Sequence, residues 1–209
     1  MARNLDPKCK QCRRLGDKLF LKGERCNSAK CGIVKRNFPP GVHGSKGRTR
    51  QTEYGLQLAE KQKAMKEYRM LEKQFHLTFE KAQDQSGDTG ENFLRLLESR
   101  LDNVVYRLAF TESRDKARQL VNHGHFTVNG KTVTIPSFIV KVGDIVAIKE
   151  SSKKAKVFNG LSEKIKKQSI PGWLNLDAAA LSGKVLNLPK KDDLALNLNP
   201  QMIVEFYSR

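Results

Sequence analysis

The sequence lacks any apolar run long enough to cross a membrane, because no uninterrupted hydrophobic stretch approaches the roughly 20 residues of a spanning helix. Its first residues, MARNLDPKCKQC, also lack the apolar core of an export signal, so we expect a cytoplasmic protein. Aromatic residues are scarce at 7%, with one tryptophan. Nevertheless, 38% of the 209 residues are hydrophobic, which suffices for one large or two modest packed domains.

Acidic residues are also in short supply, with 22 Asp and Glu against 39 Lys and Arg, a net charge of +17. Residues 1–50 hold most of the excess, with 14 basic against 3 acidic residues. Such a surplus predicts a polyanionic partner. A solvated basic tail would show the same block of charge, but the interspersed Leu, Phe, Val and Cys argue against it.

Cysteine is absent after residue 31, and the four present are spaced C-x2-C-x13-C-x4-C: Cys9, Cys12, Cys26 and Cys31. Two close pairs separated by a loop are typical of a tetrahedral metal site, so we predict one structural zinc ion with four cysteine ligands. An iron–sulfur cluster also takes four thiolates. Disulfides are a further alternative, although a reducing compartment disfavours them.

Residues 36–52, RNFPPGVHGSKGRTRQT, show no periodicity and predict a loop or basic arm. Lys46, Arg48 and Arg50 are candidate phosphate ligands there, and a plain linker is the alternative. Apolar residues from Tyr54 to Phe79 recur at helical spacing and predict a long helix followed by a shorter one. Residues 91–110 share a helical apolar face, and a further helix begins after Ser113 and ends at Gly124.

Two strands around Asn129-Gly130 predict a β-hairpin, followed by a strand at 145–148. The sequence therefore predicts an α+β fold: a mostly helical N-terminal part with a four-cysteine zinc knuckle, then two helices packed on a small antiparallel sheet. The second of these two helices begins near Arg114, Lys116 and Arg118, where free backbone N–H groups favour phosphate. Neighbouring stacking and hydrogen-bonding candidates are Tyr106, Arg107, His123, His125 and Lys131. Either histidine has a purely structural alternative.

The stretch ESRLDNVVYRLAFTESRDKARQLVNHGHFTVNGKTVTIPSFIVKVGDIVAIKE resembles the RNA-binding module, of the alpha-L type, in the bacterial small-subunit ribosomal protein S-four family. The cysteine-containing start, KRNFPPGVHG, YGLQLAEKQK, PGWLNLD and the final EFYSR resemble the same family. The resemblance runs from end to end, and among family members this chain is similar to the four-cysteine, zinc-bearing form.

The resemblance implies a structural protein that binds small-subunit ribosomal RNA at a multi-helix junction of the 5′ domain and nucleates subunit assembly. It also implies contact with small-subunit protein five, through which decoding accuracy is affected, and a place with protein three beside the messenger RNA path. Neither a small-molecule substrate, a membrane nor a homo-oligomer is expected. The expected divisions are 1–35 for the zinc knuckle, 36–52 for the arm, 53–95 for a helical domain completed by 172–209, and 96–171, with core 98–150, for the RNA-binding module.

The remaining candidate RNA contacts are basic or polar residues of these same segments. They are Arg13, Arg14, Arg25, Lys35, Arg36, His43, Arg100, Asn103, Ser113, Gln119 and Asn129.

Two other classes of protein fit parts of the pattern. An RNA-modifying enzyme can carry a similar RNA-binding module, but only about 90 N-terminal residues remain for a catalytic domain, which is usually on the order of 100–200. The sequence contains no Walker loop, GxGxxG or Ser–His–Asp pattern, so we predict no enzyme. A zinc-containing DNA-binding regulator would need a recognition helix that does not follow these cysteines.

Overall fold

The computed structural model describes residues 4–47, 50–166, 169–190, 193 and 197–209. It divides into two compact units, one of Met1–Phe93 with Asn197–Arg209 and one of Leu94–Leu196. None of the helices in the described ranges is long and apolar enough to traverse a lipid bilayer.

The first unit is helical. Its elements are α1 (Lys8–Leu15), α2 (Glu24–Asn27), α3 (Gly32–Lys35), a 3-10 helix (Val42–Lys46), α4 (Glu53–Glu67), α5 (Glu72–Gln83), the start of α6 (Thr89–Glu98) and α11 (Pro200–Tyr207). Thr52 caps α4 by accepting a hydrogen bond from the Gly55 N–H. Phe75 packs edge-on against Phe93, with ring centroids 4.9 Å apart, in the core of this unit.

Helix α11 closes the first unit by packing against α4. Gln57 of α4 donates to Glu205 at 2.9 Å, and the hydroxyl of Tyr207 donates to Glu72 of α5 at 2.9 Å. Ile203 is fully buried. The apolar end of the sequence is therefore part of the first unit.

The second unit is α+β. It contains the end of α6, α7 (Leu101–Arg107), α8 (Arg114–Asn122), β1 (Phe126–Val128), β2 (Lys131–Thr132), β3 (Ile145–Ile148), α9 (Glu150–Lys153), a 3-10 helix (Lys156–Phe158), α10 (Leu161–Lys166), β4 (Leu174–Asp177) and β5 (Ser182–Val185). The five strands form one antiparallel sheet in the order β2-β1-β3-β5-β4. The predicted Asn-Gly turn joins β1 to β2, with φ of 50° at Asn129 and 79° at Gly130.

Two features of this unit differ from the sequence prediction. The predicted helix over 91–110 is interrupted between α6 and α7, because Leu101 and Asp102 donate their N–H groups to Phe138 and Pro136 of a loop instead of continuing the helix. The sequence predicts that 172–209 completes the helical domain, but within this segment β4 and β5 belong to the sheet of the second unit, and 197–209 belongs to the first unit. Strand β5 pairs with β3, aligning Val146 with Gly183, and Trp173 and Leu174 lie in the core of the second unit.

Candidate RNA-binding surface and cysteine site

The four cysteines line one small cavity in the first unit, although they come from separate elements. Cys9 and Cys12 lie on α1, Cys26 on α2, and Cys31 directly precedes α3. All four are free thiols in the structure. Helix α1 packs against α3, and Gly32 permits this approach because a Cβ there would lie 2.9 Å from the Cβ of Cys9.

The electrostatics of this cavity reflect four sulfur atoms in a confined space. Burial raises the pKa of the Cys12 thiol, a hydrogen bond with the Leu19 backbone acts in the opposite direction, and the electrostatic influence of the other three cysteines raises the pKa further. The backbone N–H of Lys22 donates to Cys26 Sγ at 3.3 Å. Within the described part of the chain, no group of three or more His, Cys, Asp or Glu side chains is already arranged to hold a metal ion. The donor set, four thiols on the wall of one cavity, is that of a thiolate metal site.

The basic residues of the N-terminal segments are mostly exposed. Arg13 is the exception, since it donates to the carbonyls of Phe38 and Pro39 at 3.0 and 3.1 Å and lies over the Phe38 ring. This side chain therefore orders the start of the arm. The exposed set is Arg14, Arg25, Lys35, Arg36, His43, Lys46 and Arg50, and Arg48 falls outside the described residues.

The arm is more ordered than its composition predicted. His43 and Lys46 lie on the 3-10 helix Val42–Lys46. Gly44 is buried beneath this turn, and a Cβ there would clash with the carbonyl oxygen of Pro39. Close backbone packing therefore fixes the middle of the arm.

A buried network of charges holds α6, α7 and α8 together. The carboxylate of Glu98 is fully buried. It accepts hydrogen bonds from Arg107 at 2.7 and 2.8 Å and from Asn103 at 2.7 Å. Arg114 donates to Asn103 Oδ1 at 2.8 Å. These interactions link the end of α6 with the beginning of α8.

A second carboxylate, that of Asp102, serves two further arginines. Arg100 binds it in a bidentate pair at 2.9 and 3.1 Å, and Arg118 donates to it at 3.0 Å. Both arginine side chains are 3% exposed. A buried guanidinium that already donates hydrogen bonds to a carboxylate has few N–H groups left to donate to a phosphate.

Five residues of the predicted RNA contact set therefore have structural partners within the chain. The side chains of Arg100, Asn103, Arg114 and Arg118 belong to the buried network, and Ser113 caps α8 by accepting from the Lys116 N–H at 3.3 Å. The sequence carried a signal that we missed, since Glu98 and Asp102 stand one helical turn apart among the arginines. Charges of both signs at such spacing indicate ion pairing as readily as a phosphate surface.

The remaining candidates that are exposed or half-exposed lie on α8, at its end and on the hairpin. Lys116 and Gln119 on α8 and His123 directly after it are spaced by three and four residues and therefore share one side of the helix, and Lys131 is exposed on β2. We call Lys116, Gln119, His123 and Lys131 the α8 surface. Lys116 is 39% exposed and only 3.7 Å from Glu112, an ion pair that solvent screens.

Residues beside the α8 surface are partly exposed and have structural partners. His125 Nδ1 lies 2.9 Å from Ser152 Oγ, and the Tyr106 ring lies under Arg114 at 4.8 Å. Asn129 does not point to solvent alone, because its side chain accepts from the Ile145 N–H and donates to Asp144. Asn129 therefore stabilises the hairpin through its contacts with Asp144 and Ile145. The side chains of Tyr106, Arg107 and His125 are each partly exposed.

Comparison with known proteins identifies two family matches along the chain. Residues 3–98 match the family described as ribosomal protein S4/S9 N-terminal domain, and residues 99–146 match the S4 domain. Proteins named small ribosomal subunit protein uS4 from Heliobacterium modesticaldum and Geotalea daltonii are each 53% identical to this chain over 209 residues, covering all of both chains. The protein of that name from Acetivibrio thermocellus is 52% identical over the same length.

A helical part followed by an RNA-binding S4 domain defines a structural ribosomal protein, not an enzyme. The chain belongs to the uS4 family of small ribosomal subunit proteins. Members of this family bind ribosomal RNA and serve in translation as components of the bacterial ribosome in the cytoplasm. The resemblance first noted along the sequence is thereby confirmed at the level of the family.

Proposed function

We propose that the chain binds small-subunit ribosomal RNA at a multi-helix junction of the 5′ domain and nucleates assembly of the subunit there. The α8 surface is the observation that carries this proposal. Its side chains are exposed beside a buried network that fixes the backbone of α7 and α8, so they are presented on a rigid base. Rigid presentation suits recognition of RNA shape and phosphates.

The exposed N-terminal residues of the first unit are further candidate RNA ligands. Arg14, Arg25, Lys35, Arg36 and the arm residues His43, Lys46 and Arg50 provide charge for phosphates, as does Arg48 on sequence alone. The divisions 1–35 and 36–52 remain useful names for the cysteine segment and the arm. For the rest, we propose a helical domain of 53–93 with 197–209 and an RNA-binding module of 94–196, following the two compact units.

A binding experiment tests the RNA-binding proposal. The double variant Lys116→Gln with Lys131→Gln should weaken binding to transcribed 5′-domain RNA and lower the slope of log affinity against log salt by about two, because two phosphate contacts are lost. The matched control is Lys73→Gln with Lys81→Gln on α5, which changes the charge equally at two exposed lysines. Equal slopes for both double variants would contradict a role for the α8 surface, and equal wild-type affinity for duplex DNA would contradict the ribosomal proposal.

We also propose that Cys9, Cys12, Cys26 and Cys31 together hold one zinc ion. The four free thiols lining one cavity support it, as do the neighbouring cationic residues Lys8, Lys22 and Arg25, which offset thiolate charge. Four protein ligands would leave no open position, so the ion would supply folding energy rather than catalysis.

Metal analysis of the purified chain tests this second proposal. One zinc per chain, released by a chelator together with loss of order in the cysteine segment, is the expected result. Visible absorbance with bound iron would indicate an iron–sulfur cluster instead and would overturn the zinc assignment. Four titratable thiols in a metal-free chain that keeps its full order would overturn any metal site.

Membership of the family also suggests protein and messenger RNA partners for this chain. We propose contact with small-subunit proteins five and three and with messenger RNA near its entrance path, and a single copy of the chain in each subunit. Contact with protein five would carry an effect on decoding accuracy. Crosslinking in assembled subunits, followed by mass spectrometry, should recover peptides of both proteins, and their absence would contradict these contacts.

A further inference from the structure

Three lysines of α4 differ in how the first unit neutralises them. Lys61 lies 2.7 Å from the carboxylate of Glu72, and Lys63 lies 2.9 Å from that of Asp17. Lys66, one turn further along, has no carboxylate within 4 Å in the described ranges, and its hydrogen bond is a long one of 3.4 Å to the amide oxygen of Gln62. The helix thus carries one lysine that its surroundings leave unneutralised.

The neighbour that Lys66 meets is another cation. Helix α1 packs against α4, and two contacts on either side of Lys66 set their alignment: Arg69 donates to Gln11 at 3.3 Å, and Lys63 pairs with Asp17 at 2.9 Å. Arg14, midway between Gln11 and Asp17 at the end of α1, therefore lies opposite Lys66. Burial lowers the pKa of Lys66 and the positive charge of Arg14 lowers it further, while the carboxylate of Asp6 acts in the opposite direction with a smaller effect. Lys66 is half-buried and Arg14 is exposed, so an anion from solvent can approach the pair from the Arg14 side.

Two like charges brought together in this way cost free energy that an anion would recover. Both residues lie in the last turns of their helices, where the helix dipoles favour cations but carry only about half a unit of negative charge each. Lys10 is exposed one turn before Arg14 on the same side of α1 and adds to the positive field. An anion that accepts several hydrogen bonds therefore fits this site.

We propose that Lys66 and Arg14 together bind one backbone phosphate of ribosomal RNA, a contact that rests on the proposed function above. An RNA phosphate is the favoured anion because Arg14 belongs to a segment, residues 1–50, that has 14 basic residues and 3 acidic ones, and such an excess attracts a polyanion. Arg14 supplies a planar fork of donors and Lys66 a point charge, which is a common pairing for phosphate.

Matched variants of α4 test this phosphate site. Lys66→Gln should weaken binding of the whole chain to 5′-domain RNA by about three- to tenfold and lower the salt slope by about one. Lys63→Gln removes the same charge three residues earlier, at a lysine already paired with Asp17, and should keep the wild-type slope. Identical slopes for the two variants would overturn the site.

Amine footprinting of the wild-type chain gives a second reading that needs no variant. An acylating reagent should modify Lys66 in the free chain and be blocked there by bound 5′-domain RNA, while exposed Lys73 on α5 stays reactive in both states. Protection of Lys66 by inorganic phosphate alone, at the same phosphate concentration, would overturn the assignment to RNA. A wild-type chain that binds duplex DNA as tightly as this RNA would instead refute the proposed function itself, so the two failures are distinguishable.

Discussion

Glu98 shows at the scale of one residue how buried charge shapes this fold. Its carboxylate is wholly buried and receives hydrogen bonds from Arg107 on α7 and from Asn103, which in turn holds Arg114 on α8. Such a network is favourable only when every member is paired. The predicted phosphate ligands of this region therefore act first as partners for one carboxylate.

Replacement of Glu98 by glutamine tests the importance of that carboxylate. Glu98→Gln keeps the shape of the side chain but leaves buried arginine charge uncompensated, so the free energy of unfolding should fall by about 3–5 kcal/mol. Denaturant unfolding measures this change. The matched control is Glu112→Gln, which removes a half-exposed partner of Lys116 and should cost no more than about 1 kcal/mol. Equal losses for the two variants would contradict the network.

Tyr207 provides a second test at this scale, through alkaline pH. Burial raises the pKa of Tyr207 above its ordinary value of 10, and the hydrogen bond to the Glu72 carboxylate raises it further. In the unfolded chain the phenol ionises near pH 10, so above that pH the folded state holds a proton that the unfolded state has lost. The contribution of Tyr207 to stability is therefore present below pH 10 and is lost as the pH rises through the window above it.

The variant Tyr207→Phe should consequently be less stable than the wild type at neutral pH, by an amount that shrinks as the pH rises above 10. Urea unfolding at a series of pH values measures the difference. Tyr54→Phe is the control, because it removes the same hydroxyl from a tyrosine whose side chain is 49% exposed. A constant difference for Tyr207→Phe would contradict the raised pKa.

At the scale of elements, the sheet of the second unit depends on a small residue in β5. Gly183 pairs with Val146 of β3, and its α-carbon faces the buried side chain of Leu108. A Cβ at Gly183 would clash with that side chain. Strand β5 therefore pairs with β3 and packs on the helices only because this position carries no side chain.

Replacement of Gly183 measures how tightly this strand is packed. Gly183→Ala should lower the free energy of unfolding by about 1–3 kcal/mol through overpacking against Leu108. Gly172→Ala is the control, since the nearest atom to a Cβ there is Asp193 Oδ1 at 4.0 Å, and its effect should stay within about 0.5 kcal/mol. Thermal unfolding measures both changes. An unchanged unfolding temperature for Gly183→Ala would contradict close packing of β5 against Leu108.

Local patterns predicted several elements well and failed where long-range contacts decide. The helical spacing from Tyr54 to Phe79 corresponds to α4 and α5, and the Asn-Gly turn corresponds to the β1–β2 hairpin. The interruption before α7 depends on the Pro136 and Phe138 carbonyls, more than 30 residues away along the chain. The pairing of β5 with β3 is equally distant in sequence, and no local period reveals such a partner.

At the scale of the whole molecule, the two compact units contain different candidate sites. The first unit contains the cysteine cavity, and the second presents the α8 surface. The sequence located the cysteine segment and the α8 region because spacing and charge are local properties. It could not separate buried from exposed arginines, since that distinction depends on Glu98 and Asp102 in the folded chain.

The independence of the two units can be tested by disturbing the cysteine cavity. If the four cysteines hold a metal ion, Cys9→Ser should speed amide hydrogen exchange in residues 1–35 and leave residues 98–150 unchanged. Treating the wild-type chain with a chelator should reproduce the effect of the variant. Unchanged exchange in both regions would contradict a structural metal, and loss of protection in both would contradict independent folding.

The central claim is that this chain recognises one place on small-subunit ribosomal RNA. Crosslinking the protein to RNA in growing cells, followed by sequencing of the attached RNA, tests it most directly. The account predicts reads concentrated at one multi-helix junction of the 5′ domain, with crosslinked peptides from the α8 surface and the N-terminal basic segments. Reads scattered over messenger or transfer RNA would contradict it.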